Sequence, residues 1–244
     1  MNWKLENGDF QSPGVFRGHN GYTVVITDPP YDDRTHQGRE TGSSKKGIPY
    51  PPLTMELAHA VVENFSFCNP TWWVFFCSHT TYQWFAKELE HIDQYVFAPI
   101  PWVKPDPAPR KQGDGPDSSC EWLCIARPKK RLRRYGHRPG HYFEQTASTR
   151  GKGFQGQKPL SLMRRIILDY SEPGDIVIDP FAGSGTTLLA AVMEGRNAWG
   201  CEIDPKTCRA ARHRLEENDK QIIIPILPTT YRRARQIDLV ERME

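Results

Sequence analysis

Asp28-Pro29-Pro30-Tyr31 follows directly on the apolar run Tyr22-Thr-Val-Val-Ile-Thr27, and far downstream a second apolar stretch runs into Asp179-Pro-Phe-Ala-Gly-Ser-Gly-Thr-Thr187. The tetrapeptide offers a carboxylate acceptor, a carbonyl made available because proline has no N–H, and an aromatic face for stacking. Such a set can hold the exocyclic amino group of a nucleobase. The glycines of the second stretch let backbone approach a ligand closely where a helix begins, which is how nucleotide-like groups are cradled in α/β sheets. Alone, Asp-Pro-Pro-Tyr is an ordinary turn; its place after a buried strand, in one chain with the glycine-rich loop, favours the chemical reading. A glycine-rich strand-to-helix turn could equally bind a dinucleotide. Gly183-Ser-Gly185, however, is not G-x-G-x-x-G and carries no phosphate-loop lysine.

These loops need elements to position them, and the chain alternates strand-like with helix-like stretches. Strands are expected over Tyr22–Thr27, Thr71–Cys77, Tyr95–Val103, Glu121–Ala126, Asp175–Ile178 and Ala198–Cys201. Helices are expected over Leu53–Phe65, Thr80–His91, Leu160–Tyr170, Gly185–Glu194 and Pro205–Glu217. The alternation predicts an α/β fold with a mostly parallel central sheet covered by helices on both faces. Asp32–Pro52, rich in glycine, proline and scattered charge, reads as a mobile loop, and Lys104–Ser119 as a proline-rich connection.

The 244 residues suit one α/β domain with a sizeable core. A net charge of +3 leaves any nucleic-acid surface to local clustering. The cysteines, Cys68, Cys77, Cys120, Cys124, Cys201 and Cys208, include no C-x-x-C pair. They are expected to be reduced core residues of a cytoplasmic protein without a metal site. The N-terminal residues resemble neither a signal peptide nor a membrane span, and no apolar run approaches the ~18 residues that a spanning helix needs.

On the two loops together, the sequence resembles the amino-methyltransferases of DNA, the S-adenosylmethionine-dependent N6-adenine and N4-cytosine enzymes. The resemblance runs over about residues 5 to 217. It implies the class I methyltransferase (Rossmann-like) fold and S-adenosylmethionine as cofactor. Because Asp28 precedes the cofactor loop, the order is the β arrangement, a circular permutation of the usual methyltransferase sheet. By the resemblance, the Asp28 carboxylate and the Pro29 carbonyl accept the two N–H bonds of the target amine, Pro30 completes the loop, and Tyr31 stacks on the extruded base. Phe181, Ala182, Gly183, Ser184, Gly185 and Thr186 look like the methionine-binding loop, with Asp179 and Phe181 flanking the cofactor. Glu202 in Trp199-Gly-Cys-Glu-Ile-Asp-Pro205 stands where a carboxylate accepts from the ribose hydroxyls. Asp204, followed by Pro205, also reads as a helix N-cap. Gln157-Lys-Pro-Leu-Ser-Leu-Met163 is similar to the segment before the cofactor loop, with Lys158 beside the methionine carboxylate. Glu6-Asn-Gly-Asp9 resembles the segment whose acidic residue, here Asp9, faces the cofactor adenine, and it could also be only a turn. Pro101-Trp-Val-Lys-Pro105 and Cys120-Glu-Trp-Leu-Cys-Ile125 resemble two motifs that shape the base pocket, although Trp102 and Trp122 also read as core aromatics. No Pro-Cys nucleophile for carbon-5 methylation is present.

The chain thus divides into a catalytic half (1–126), a short basic target-recognition segment (127–156), a cofactor-binding half of the same domain (157–217) and a C-terminal extension (218–244). The basic segment carries Arg127, Lys129, Lys130, Arg131, Arg133, Arg134, Arg138, Arg150 and Lys152 against Glu144, with Tyr135, His137, His141, Tyr142 and Phe143 interleaved. It reads as a phosphate-binding surface, or else as a solvated charged loop. Being short, it implies a short target sequence or contacts from a second copy in a homodimer. Asp28, where N4-cytosine enzymes more often have serine, favours DNA N6-adenine as substrate. N4 of cytosine, adenine in RNA, and a noncatalytic nucleic-acid-binding subunit remain open alternatives.

Overall fold

A computed structural model describes residues 2–12, 22–33, 51–105, 119–130, 137–146 and 157–218. The expected mobile loop falls largely outside these residues, as do most of Lys104–Ser119, the C-terminal extension, and Arg131, Arg133, Arg134, Arg150 and Lys152 of the basic segment.

Nine strands of the described residues form one sheet: β1 (Trp3–Asn7), β2 (Thr23–Thr27), β3 (Trp72–Cys77), β4 (Gln94–Val96), β5 (Ile100–Val103), β6 (Cys120–Pro128), β7 (Tyr142–Phe143), β8 (Ile176–Asp179) and β9 (Asn197–Glu202). They lie in the order β1-β9-β8-β2-β3-β6-β5-β7, with β4 beside β5 on the same side of β6. Strands β1, β9, β8, β2 and β3 run parallel, and β6 runs against its neighbours β3, β4 and β5. The helices are α1 (Met55–Ser66), α2 (His79–His91), α3 (Leu160–Tyr170), α4 (Thr186–Met193) and α5 (Pro205–Asn218).

Alternation within the central strands feeds two cores. Val24, Ile26, Val74 and Phe76 point to the face covered by α3, α4 and α5 through Leu162, Ile166, Leu188, Ala211 and Leu215. Val25, Trp73, Phe75 and Cys77 point the other way, onto Ala58, Val62 and Phe65 of α1 and Phe85 and Leu89 of α2. Strands covered on both faces need unbroken apolar sequence, which is why β2 and β3 are uniformly buried and legible as runs. Thr54 caps α1 by accepting from Leu57 N, and Ser78 with Thr81 forms a capping box on α2.

Three details depart from the expected elements. The single strand foreseen at Tyr95–Val103 is two, β4 and β5, broken at Ala98-Pro99 because Pro99 has no N–H for the ladder. Strand β1 was not foreseen: only Leu5 of its five residues is buried, too little periodicity to read. Strand β7, two residues long, has no sequence signature at all. All six cysteines are free thiols, with Cys77, Cys124, Cys201 and Cys208 buried. Among the described residues no helix is long and apolar enough to cross a membrane.

Candidate active site

From β2 the chain continues to β3 on one side, whereas from β8 it continues to β9 on the other. The loops leaving β2 and β8 therefore diverge from adjacent parallel strands at one edge of the sheet, a crevice of the kind in which open α/β sheets bind ligands. Thr27 Oγ1 donates to Asp179 Oδ1 at 2.5 Å, so the two motifs, 152 residues apart in sequence, touch. Asp179 Oδ1 also accepts from Phe181 N at 3.1 Å and holds the following loop. Burial raises the Asp179 carboxyl to about 6, partly opposed by hydrogen bonds from Thr187, Thr27 and Phe181 N.

The glycine-rich loop closes onto the end of β9. Glu202 Oε2 accepts from Gly183 N at 2.9 Å and its Oε1 from Asp204 N at 2.8 Å. Burial raises the Glu202 carboxyl above the usual value. Gly183 has φ +49°, and Gly185, the N-cap of α4, has φ +73°, conformations that disfavour any side chain. Gly200 is required by packing: a Cβ there would lie 2.8 Å from Leu188 Cδ1 and 3.1 Å from Ala182 Cβ. Arg214 of α5 donates to Ser184 O and Thr186 Oγ1, fixing the loop from behind. Phe181 meets Phe10 edge-on at 5.2 Å, and Phe10 follows Asp9, whose Oδ1 accepts from Gln11 N at 3.0 Å in a turn. Gly8 N donates to Glu202 O, so Asp9 stands beside the end of β9. Asp204 Oδ2 accepts from Thr207 N at 2.7 Å, the N-cap geometry of α5.

On the β2 side, Pro29 is buried, while Asp28, Pro30 and Tyr31 are partly exposed. Lys158, just before α3, lies 2.5 Å from Asp28 Oδ2 and 3.2 Å from Glu121 Oε2. Tyr31 OH donates to Glu121 Oε2 at 2.5 Å, and Lys104 Nζ lies 2.5 Å from Glu121 Oε1. Burial opposes the charge on Lys158, but Asp28 and Glu121 outweigh it and raise its pKa. Burial likewise opposes the charge on Glu121; Lys158 and Lys104 prevail and hold it at about 2. Burial, with the Glu121 and Asp28 charges, pushes the Tyr31 hydroxyl well above its usual value. Lys158 was expected beside the cofactor, yet its ammonium rests on the tetrapeptide. Glu121 and Lys104 were not singled out, although both lie inside the quoted pocket motifs. The available signal was a charged residue at the second position of a strand whose next five residues, Trp122 to Ala126, are apolar.

The basic segment stands elsewhere. Because β6 is antiparallel to β3, Glu121 lies at the edge of the sheet that carries Asp28 and Pro128 at the opposite one, roughly 20 Å away at ~3.3 Å per residue. There the Arg127 guanidinium covers Tyr95 and Phe97, and Lys129 pairs with Asp93 at 2.6 Å. Lys130 is exposed. Arg138 packs over Trp72 at 4.3 Å and Tyr170 at 5.7 Å while its Nε donates to Asp169 O. The described basic residues are thus not gathered around Asp28.

Comparison with known proteins gives a family model, described as DNA methylase of the N6/N4 group, that matches residues 22–213. Type II methyltransferase M2.MboI of Moraxella bovis is 27% identical over 186 residues, 67% of this chain and 63% of that protein. DNA adenine methyltransferase YhdJ of Escherichia coli is 50% identical over 60 residues, 25% of this chain and 20% of its own length. The chain therefore matches less than two thirds of the length of these relatives. A crystal structure of the M1.HpyAVI–SAM complex shares the fold, with a TM-score of 0.64 and 24% identity over 87% of this chain and 98% of that one. With a family match that spans most of the chain, from the strand before Asp28 into α5, the protein belongs to the N6/N4 DNA methylase family.

Proposed function

We propose that the protein transfers a methyl group from S-adenosylmethionine to the exocyclic amine of a base turned out of DNA, at N6 of adenine. The observation that carries this reading is the Thr27–Asp179 contact, which joins an amine-holding tetrapeptide to a nucleotide-type loop at one edge of the sheet. The residues present fit the cofactor: a loop of positive-φ glycines, a half-buried carboxylate in Glu202 and the aromatic pair Phe10–Phe181 all converge there. Asp9, Phe181, Gly183, Ser184, Gly185, Thr186 and Glu202 would hold it, with Asp179 and Asp204 shaping the loops around them. When bound, S-adenosylmethionine supplies an electrophilic methyl group on sulfur.

The protein's own part is to make a poor nucleophile competent. The lone pair of an aromatic amine is delocalised into the ring. Acceptors on both N–H bonds, the Asp28 carboxylate and the Pro29 carbonyl, favour the tetrahedral nitrogen over the planar one. Tyr31 stacks on the base and holds it there. The Lys158 ammonium lies 2.5 Å from Asp28 Oδ2, and since a carboxylate has about four lone-pair sites, it does not exhaust the group as an acceptor.

Asp28 and the similarity to an adenine methyltransferase support adenine over cytosine. Arg127, Lys129, Lys130 and Arg138 lie towards the edge of the sheet opposite Asp28, and the salt dependence of duplex binding decides whether they take phosphates. Expression in a methylation-deficient host, followed by long-read sequencing of its genome, tests the proposal. Adenine modification at a short recurrent site is the expected result, and an unmodified genome would contradict it.

A further inference from the structure

Asp28 and Tyr31 are separated by two prolines, and neither side chain is held by its own loop alone. Both partners converge on one residue of another strand. Glu121, at the start of β6, accepts from Tyr31 OH at 2.5 Å and shares Lys158 with Asp28, at 3.2 Å against 2.5 Å. Its other oxygen is taken by Lys104 from the end of β5 at 2.5 Å. Glu121 is itself only 21% exposed and Lys104 14%, so this is an enclosed network rather than a solvated surface pair. Its charges balance: Asp28 and Glu121 against Lys158 and Lys104.

We propose that Glu121, neutralised by Lys104, is the positioning residue of the reaction, holding the Tyr31 ring and the Lys158 ammonium where Asp28 and the stacked base need them. The proposal rests on the functional reading above and deepens it. Tyr31 with its hydroxyl anchored can rotate only about its own ring axis, which presets the stacking plane. Lys158, held between two carboxylates and over the rings of Tyr31 and Phe76, cannot withdraw from Asp28 into solvent. The acceptor and the stacking face are thereby set relative to each other before the base arrives, and pre-set geometry of this kind appears in turnover rather than in ground-state binding.

The test uses the full chain, with tritiated S-adenosylmethionine and duplex DNA, and follows kcat, KM and the pH profile. The groups around Lys158 are Asp28 and Tyr31 after β2, Cys77 at the end of β3, Lys104 after β5 and Glu121 on β6. Glu121→Gln should lower kcat about 10- to 100-fold, as loss of a supporting partner does elsewhere, with cofactor affinity within about twofold of wild type. Losing one carboxylate makes the Lys158 ammonium easier to deprotonate, so the alkaline limb of the kcat profile should move to lower pH. Glu121→Asp, which keeps the charge, should recover part of the rate and return the limb towards wild type. Lys104→Met leaves Glu121 uncompensated and should move the limb to higher pH, so it decides the matter if Glu121→Gln does not fold. Unchanged kcat and an unmoved limb in the variant that folds would overturn the positioning role while wild-type transfer continued. Absence of transfer by the wild type would instead overturn the functional reading itself.

Discussion

Lys158 Nζ lies 2.5 Å from Asp28 Oδ2, so a residue entering α3 is paired with the first residue after β2, 130 positions earlier. Residues 157–217 are thus fastened to the N-terminal part of the chain by a partly buried charge pair, in addition to the backbone ladder between β2 and β8. Removing the cation leaves Asp28 and Glu121 facing each other without it, and an unpaired buried charge typically costs about 3–5 kcal/mol. Lys158→Met should therefore lower the melting temperature at neutral pH as well as turnover. In the wild type, Glu121, held at about 2 against 4.5, contributes stability that is present above pH 4.5 and lost as pH falls towards 2. Melting curves over an acid series check both statements; a variant as stable as wild type at neutral pH would show that the pair does not hold the halves together.

Cofactor affinity should depend on backbone conformation at Gly183. Its φ of +49° is strained for any side chain and most of all for a β-branched one, so Gly183→Val should weaken S-adenosylmethionine binding. Glu202→Ala should do the same by releasing Gly183 N and Asp204 N. Calorimetric affinities equal to wild type in both variants would remove the loop from the cofactor site.

Asp179 links stability to pH with the opposite sign from Glu121. Burial holds its carboxyl at about 6 against 3.8, so the folded protein binds this proton more tightly than the unfolded chain does. Stability consequently falls as pH rises through that window, and at neutral pH the charged group costs on the order of 1–3 kcal/mol. Asp179→Asn should raise the melting temperature more at neutral pH than in mild acid, while weakening binding of the cationic cofactor. The same gain at both pH values would mean that Asp179 is not held charged against its surroundings.

The basic segment should divide into structural and solvated residues. Arg138→Ala loses a cation–π stack over Trp72 and the hydrogen bond to Asp169 O, and should destabilise the protein by about 1–2 kcal/mol. Lys129→Ala with Lys130→Ala should leave stability within about 0.5 kcal/mol of wild type. The salt dependence of duplex binding should also stay unchanged in that double variant; a slope flattened by roughly 0.9 per residue would place these lysines on phosphates.

Legibility in the sequence followed burial. Strands β2 and β3 and helices α3 and α5 were readable because each buries enough consecutive or periodic apolar residues to leave a pattern. Both loops of the site were readable because proline and glycine constrain backbone in ways that few functions require. Glu121 and Lys104 were not, since a charge network depends on which strands lie side by side. The antiparallel pairing of β6 with β3 and β5 that brings Glu121 to Tyr31 and carries Lys129 away from Asp28 is a property of topology.

The most direct test of the account is the identity of the methylated nucleoside. Purified protein, duplex DNA of mixed sequence and labelled S-adenosylmethionine would be incubated, the DNA digested to nucleosides and the labelled product identified by mass spectrometry, with Asp28→Ala alongside. The account predicts N6-methyladenine from the wild type and a rate lower by about 10²-fold or more in Asp28→Ala with cofactor binding retained. Label in N4-methylcytosine, DNA left without label, or undiminished transfer by Asp28→Ala would contradict it.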